Sequence, residues 1–273
     1  MDISISKEMP LPARSNKKKK LPSPPLRKKR PARETVKPVI QCAIFDLDDT
    51  LYDCFGQRVR VAHRYAAQAM VEAGLNANTD AVYRVRMLAF RQDPMLRHID
   101  AEVTRHFNAE NPEAVSNAAR EAYFNCPVGK LKLFAGSLPL LRFLAKRGVR
   151  NFIVSFGEPK TQRAKVKALG LDRETSVERI YYADRGNVLT KEAAFRKIQK
   201  KTGLTPGEIL VVGDRPAREI RAGRELGMHT VRLRHGEFKS QMPIGPEEES
   251  DFVVKEISQI KELPFLWGAD VKR

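Results

Sequence analysis

Three carboxylates, those of Asp46, Asp48 and Asp49, directly follow an apolar run in the stretch AIFDLDDTLYDC, residues 43 to 54. The chain as a whole carries an excess of positive charge, so this group of acids is not expected by chance. Positioned carboxylates can act in acid–base chemistry, whereas acids at a strand end often only cap the next helix. The elements around the acids decide between these two interpretations.

The residues before the acids predict a buried strand. VIQCAIFDL is almost wholly apolar and contains β-branched residues, as in strands that are covered on both faces of a parallel sheet. The same signature recurs at residues 149–156, 178–183, 208–214 and 228–233.

Helical patterns lie between these predicted strands. They cover residues 137–148, 159–170, 190–203 and 216–227, and each pattern stops at a glycine. The alternation of strand and helix predicts an α/β fold with a doubly wound, mainly parallel, Rossmann-like sheet.

One segment interrupts the alternation. Residues 54–134 show only helical patterns, punctuated by prolines, and no good strand. We therefore predict an all-helical domain at 54–134, inserted into an α/β core domain that consists of residues 39–53 and 135–263. Residues 1–38 and 264–273 are assigned to two tails.

The first tail is rich in charge and proline. Residues 1–38 contain 12 basic residues, 3 acidic residues and 7 of the 17 prolines, without apolar periodicity. Such a segment cannot bury enough surface to offset the entropy of ordering, so we predict a disordered basic tail. Its clusters NKKKK and RKKR could contact nucleic acid, an anionic membrane or a nuclear import receptor, or be solvated without a specific partner.

The remaining composition predicts a soluble protein. The sequence holds no apolar stretch suited to a signal peptide or a transmembrane segment. The three cysteines lack CxxC spacing, which favours reduced thiols. We expect a cytoplasmic location, or a nuclear one if the organism is eukaryotic.

The polar residues at the strand ends form a pattern. Ligands of open parallel sheets bind at the carboxyl ends of the strands. The acids of DLDDT follow the first strand, Ser155 lies at the end of the second, and Asp214 and Glu219 follow the fourth. We expect these segments to converge, which makes them stronger evidence than an isolated DxD.

In these segments the chain resembles the haloacid dehalogenase superfamily of hydrolases, most of whose members are phosphatases with an aspartate nucleophile. FDLDDTL (45–51) matches its apolar strand followed by DxDxT, and FIVSFG (152–157) matches its strand ending in Ser or Thr. Lys191 in NVLTKEAAF is the candidate for its lysine at a helix start, and VVGDRPARE (211–219) matches its GD with a later acid. The resemblance runs from about residue 39 to about residue 263 and makes the inserted helices a small C1-type cap.

The resemblance implies a role for each motif residue. Asp46 would be the nucleophile that forms an aspartyl phosphate, and Asp48 the general acid and then the general base. Ser155 and Lys191 would hold phosphate oxygens. A Mg²⁺ ion would be bound by the Asp46 carboxylate, the Asp48 carbonyl and the Asp214 carboxylate, with Glu219 as a further candidate.

This sequence departs from the family pattern at two places. Glu219 stands where the family usually has Asp, so it could reach the metal through water or only orient another ligand. Phe156 replaces a polar residue near the phosphate. Lys160, close to the second motif, is an alternative to Lys191. We assign Asp49 and Thr50 to the turn of the loop.

The leading hypothesis is a phosphatase for a small phosphorylated metabolite, such as a sugar phosphate, a short acid phosphate or a nucleoside monophosphate. Asp48 favours phosphoryl transfer, because family members that cleave carbon–halogen bonds lack it. A phosphomutase is an alternative, and transfer of labelled phosphate to product rather than water would identify it. A third hypothesis is a binding protein whose basic tail contacts nucleic acid or membrane; deleting residues 1–38 would then abolish binding at low salt.

Overall fold

The computed structural model describes residues 40–92, 98–184 and 189–266. The predicted N-terminal tail and residues 267–273 of the predicted C-terminal tail lie outside these ranges. None of the helices within them is both long and apolar enough to cross a bilayer.

The centre of the structure is a six-stranded sheet in which every neighbouring pair of strands is parallel. The strands are β1 (Cys42–Phe45), β2 (Arg150–Phe156), β3 (Arg179–Ala183), β4 (Ile209–Gly213), β5 (His229–Leu233) and β6 (Phe252–Val254). Their spatial order is β3-β2-β1-β4-β5-β6, with β1 in the interior between β2 and β4. The predicted α/β class and parallel sheet are confirmed, and β6 is a strand that the sequence did not predict.

The described residues form eight α-helices in addition to the sheet. They are α1 (Arg60–Glu72), α2 (Thr79–Gln92), α3 (Ile99–His106), α4 (Pro112–Asn125), α5 (Ser137–Lys146), α6 (Pro159–Ala168), α7 (Lys191–Thr202) and α8 (Arg221–Glu225). The helix predicted at 216–227 is divided, because a π-helical turn, Pro216–Ile220, precedes α8.

The sheet is buried on both faces, which explains the unbroken apolar runs. Ala43 and Phe45 of β1 pack in one hydrophobic cluster with side chains of α5 and α6, among them Leu141. Cys42 and Ile44 point to the other face and pack in a second cluster with side chains of α7 and α8. Successive strand residues face opposite sides, so both sets must be apolar.

The helices α1 to α4 have a hydrophobic cluster of their own. Among the residues that the structure describes, its buried members lie between positions 66 and 119 and include Ala66, Met70, Val82 and Val103. The helical spacing that predicted these elements therefore corresponds to a packed apolar face. The boundaries of the inserted domain stay a prediction.

A buried ion pair ties α2 to α3. The Arg86 side chain is only 2% exposed, and its Nη1 lies 2.5 Å from Oδ1 of Asp100. Removing one partner of a buried pair leaves an uncompensated charge in a medium of low polarity.

We expect Asp100→Ala to lower the free energy of unfolding by about 3 kcal/mol or more, because Arg86 loses its counter-charge. The matched control is Asp80→Ala, which removes the partner of Arg64 at the same position in a helix, where the side chains are 57% and 66% exposed. That control should cost less than about 1 kcal/mol. Urea unfolding of both variants measures the difference, and equal losses would contradict the expectation.

Candidate active site

The strand order brings the predicted motifs to one edge of the sheet. β1 lies directly between β2 and β4, so the segments that follow these three strands are neighbours. Asp46, immediately after β1, donates its backbone N–H to the carbonyl of Val212 in β4 at 2.9 Å. Asp214 follows β4, and Ser155 is the second-last residue of β2. Lys191 is the first residue of α7, whose N-cap is Thr190.

A cavity of about 190 Å³ opens at this edge. Five of the six predicted site residues line it: Asp46, Asp48, Lys191, Asp214 and Glu219. Phe156, Lys165, Arg215, Arg218, Glu237 and Phe238 also contribute to its wall. The sixth predicted residue, Ser155, is fully buried beside it.

Lys191 joins two of the acids. Its ammonium group forms ion pairs with the carboxylates of Asp46 and Glu219, and all three side chains are buried. Glu219 also accepts a hydrogen bond from the backbone N–H of Arg215 at 3.2 Å. The Glu219 carboxylate can come this close because residue 213 is glycine, whose added Cβ would lie 2.5 Å from the Glu219 side chain. Lys191 therefore lies between two of the predicted site acids, whereas Lys160 is exposed on α6.

The pKa values of Asp46 and Asp214 in the cavity are raised by burial and by the neighbouring carboxylates. Burial, with the nearby Glu219 and Asp48, raises the pKa of the Asp46 carboxyl to about 7 against the opposing effect of Lys191. Burial also raises the pKa of Asp214 well above its usual value, and Glu219 and Asp46 add to that rise. For Lys191, burial alone would lower the pKa, but Asp46 and Glu219 outweigh it, so its pKa is raised.

Asp48 is held by three side chains. Lys165 Nζ lies 3.0 Å and 2.8 Å from its two carboxylate oxygens. Gln162 Nε2 donates to Oδ2 at 2.9 Å, and the Tyr52 hydroxyl donates to Oδ1 at 2.8 Å. Burial would raise the pKa of Asp48, but Lys165, Gln162 and Tyr52 together lower it. The carboxylate form of Asp48 is therefore the stabilised one.

Gln162 also connects Ser155 to this network. Its Nε2 lies 2.6 Å from the Ser155 hydroxyl oxygen and 2.9 Å from the carbonyl of Phe156. The amide of Gln162 therefore links the Ser155 hydroxyl at the end of β2 to the Asp48 carboxylate after β1.

Asp49 shapes the loop after β1. It adopts a left-handed backbone conformation with φ 56°, and its carboxylate accepts hydrogen bonds from the backbone N–H groups of Phe55 at 3.0 Å and Glu237 at 3.4 Å. Gly236, with φ 68°, packs against it so closely that an added Cβ would lie 2.2 Å from Asp49 Cγ. The loop that carries Glu237 is therefore in direct contact with the motif loop.

Two arginines stack on aromatic rings at the wall of the cavity. The Arg215 guanidinium lies 3.6 Å from the ring centroid of Phe238, and that of Arg218 lies 4.1 Å from the ring centroid of Phe156. Phe156, which replaces a polar residue of the family pattern, thus supports a cation beside the site.

The donor set fits a hard divalent cation. Asp46 and Asp214 provide carboxylate oxygens, and the residues that the structure describes donate no hydrogen bond to the Asp214 carboxylate. Such oxygens suit Mg²⁺, and a cation would offset the burial and the repulsion that raise the pKa values of Asp46 and Asp214. Glu219 faces Lys191 instead. Within residues 40–92, 98–184 and 189–266, one group of three His, Cys, Asp or Glu side chains has its possible metal-binding atoms within 4.8 Å of one another. It consists of Asp49, Asp53 and His235.

Comparison with known proteins identifies the family. The model of the haloacid dehalogenase-like hydrolases matches residues 40–227, more than half of the chain. This chain belongs to the haloacid dehalogenase-like hydrolase family. The resemblance of the motifs predicted this family, and the prediction is confirmed.

Relatives of this hydrolase are named as phosphatases. A glyceraldehyde 3-phosphate phosphatase of Pyrococcus furiosus is 28% identical over 82% of this chain and 92% of its own length. One of Methanopyrus kandleri is 29% identical over 82% of this chain and 96% of its own length. Among solved structures, a protein of Haemophilus somnus described as a predicted phosphoglycolate phosphatase has a TM-score of 0.56 and 17% identity, covering 82% of this chain and 97% of its own. That structural likeness shows the shared fold.

The residues around Asp48 are those that the sequence did not reveal. Gln162, Lys165 and Tyr52 belong to none of the family motifs. The spacing of residues in α6 could have indicated them, because Gln162 and Lys165 lie three residues apart on the same face of the helix as the buried Val166. Polar side chains on a buried face need hydrogen-bond or charged partners, and here the partner is Asp48.

Proposed function

We propose that this hydrolase is a Mg²⁺-dependent phosphatase that hydrolyses a small phosphorylated metabolite through an aspartyl-phosphate intermediate. The observation that carries the proposal is that Asp46 and Asp48 line one cavity together with Lys191 and Asp214. Phosphate monoesters are hydrolysed very slowly without a catalyst, so a site must supply a positioned nucleophile and compensate negative charge.

The first half-reaction transfers the phosphoryl group to the enzyme. A carboxylate oxygen of Asp46 attacks phosphorus and forms a new O–P bond while the ester P–O bond breaks. The leaving oxygen keeps the electron pair of the broken bond and takes a proton from the carboxyl group of Asp48. The Ser155 hydroxyl and the Lys191 ammonium bind the phosphoryl oxygens.

The second half-reaction returns the enzyme to its starting state. Water attacks the phosphorus of the aspartyl phosphate, and Asp48 accepts a proton from that water. The bond between Asp46 and phosphorus breaks, which releases inorganic phosphate and restores both side chains. The contacts of Asp48 favour its carboxylate form, as a general base requires.

Asp46, the Asp48 carbonyl and Asp214 would hold Mg²⁺. The bound ion would supply positive charge that offsets the repulsion between the phosphate and the acids. In this proposal Glu219 orients Lys191 rather than binding the ion, because its carboxylate contacts the Lys191 ammonium.

The size of the site supports a small substrate. Its volume of about 190 Å³ is below the range of roughly 300–1,000 Å³ that drug-sized ligands occupy. The named relatives act on glyceraldehyde 3-phosphate, a three-carbon phosphorylated aldehyde. We propose short phosphorylated aldehydes and sugars as the substrate class, in preference to nucleoside monophosphates.

We expect the purified protein to release inorganic phosphate from glyceraldehyde 3-phosphate and from 4-nitrophenyl phosphate in the presence of Mg²⁺. Treatment with EDTA should lower both rates at least about 100-fold, because the acids and the phosphate then repel each other, and added Mg²⁺ should restore them. A phosphoserine peptide is the control for substrate size and should not be turned over. Full activity after EDTA treatment would contradict the metal dependence.

A further inference from the structure

Lys165 is a buried cation whose partner is the proposed acid–base residue. Its side chain is 8% exposed, and Nζ contacts both carboxylate oxygens of Asp48. Nζ also lies 3.7 Å from the thiol sulfur of Cys54. A buried ammonium group is costly unless it is paired, so the position of Lys165 is set by Asp48.

The same helix supplies a second contact to the acid. Gln162 and Lys165 lie on one face of α6, and both side chains reach Asp48. Gln162 also contacts the hydroxyl of Ser155. One helix that follows β2 therefore fixes the acid–base carboxylate and the predicted phosphate-binding hydroxyl relative to each other.

The third contact comes from the motif loop itself. Tyr52 is fully buried, and its hydroxyl donates to Oδ1 of Asp48 from four residues further along the chain. Donors from two separate segments thus surround the carboxylate and restrict it to one orientation at the cavity wall. Proton transfer to a leaving oxygen or from water depends on such placement within hydrogen-bond reach.

We propose that Lys165, assisted by Gln162 and Tyr52, is a positioning residue that holds the Asp48 carboxylate in place to accept the proton of the attacking water. The inference rests on the proposed phosphatase function, because it assigns Lys165 no chemistry of its own. Lys165 acts through Asp48, so its contribution must vanish when Asp48 can no longer transfer protons.

A double-mutant cycle tests this dependence. With 4-nitrophenyl phosphate and Mg²⁺, Lys165→Met should lower kcat about 100-fold in the native background and change KM less than about 3-fold. In the Asp48→Asn background, the same substitution should change kcat less than about 3-fold. A merely structural role would lower kcat by the same factor in both backgrounds, and that result would overturn the proposal.

Two further variants make the test independent of whether Lys165→Met folds. Tyr52→Phe removes one oxygen atom and should lower kcat about 3- to 10-fold in the native background, but not in the Asp48→Asn background. Equal losses of kcat in the two backgrounds would count against the proposal. Lys167→Met, which replaces an exposed lysine of α6, is the matched control and should keep native kcat. Native kcat in Asp48→Asn alone would overturn the acid–base role of Asp48, whereas native kcat in Lys165→Met alone would overturn only the role of Lys165.

Discussion

Replacing Asp46 by Asn is expected to lower the hydrolysis of 4-nitrophenyl phosphate at least about 10⁴-fold, because an amide cannot form the aspartyl phosphate. The shape of the side chain is kept. Lys191 retains its ion pair with Glu219, so the fold should remain intact. Steady-state kinetics and the thermal unfolding midpoint of the same preparation measure the two effects separately.

The matched control for this variant is Asp53→Asn. Asp53 belongs to the same loop and accepts a hydrogen bond from the backbone N–H of Gly56 at 2.7 Å, a contact that Asn can also make. The activity of Asp53→Asn should stay within about 3-fold of the native value, since most substitutions outside the reacting groups have small effects.

An Asp46→Asn enzyme with near-native turnover would exclude Asp46 as the nucleophile.

Replacing Lys191 by Met should affect both activity and stability. Asp46 and Glu219 would face each other in a buried site without the cation between them, so we expect a loss of about 3–5 kcal/mol in the free energy of unfolding. The phosphate would also lose a positive charge, and kcat/KM should fall about 100- to 1,000-fold.

An exposed lysine of the same helix provides the comparison. Lys197→Met should change neither the free energy of unfolding nor kcat/KM appreciably, because the Lys197 side chain is solvent-exposed on α7.

Raising the pH should increase the stability loss of Lys191→Met. Burial and nearby acids already raise the pKa of Asp46 to about 7, and above that pH the ionised Asp46 carboxylate repels the carboxylate of Glu219. A stability loss that is the same at pH 5 and pH 8 would contradict the buried contacts of Lys191 with Asp46 and Glu219.

The parts of the fold that the sequence predicted are those with a strong local pattern. The apolar runs of β1 and β4 require burial on both faces, and the glycine after each core helix predicted where it stops. The strand β6 was missed because Phe252–Val254 is only three residues long, too short for a periodic signal. The π-helical turn at Pro216–Ile220 has the composition of an ordinary helix, so the sequence did not distinguish it from an α-helix.

The site residues also divide into those that the sequence motifs predicted and those that only the packing of the helices revealed. The order of the motifs along the chain placed Asp46, Asp48, Lys191 and Asp214 at one sheet edge, and the structure brings them to one cavity. The network on Asp48 depends on the rotation of α6 about its axis. Lys160 and Lys165 are five residues apart, hence about 140° apart around a helix. The apolar Val166 beside Lys165 indicates which of them faces inward, but the partner of Lys165, Asp48, is set by the packing of α6 against the sheet.

The close contact between Gly236 and Asp49 links two regions that are 187 residues apart in the chain. Because residue 236 has no room for a side chain, its segment can pack directly on the turn after β1, and the backbone there is fixed from both sides. Side chains at Glu237 and Phe238, which line the cavity, can therefore be exchanged on an unchanged main-chain path, whereas lengthening that segment would disturb the turn that follows the proposed nucleophile.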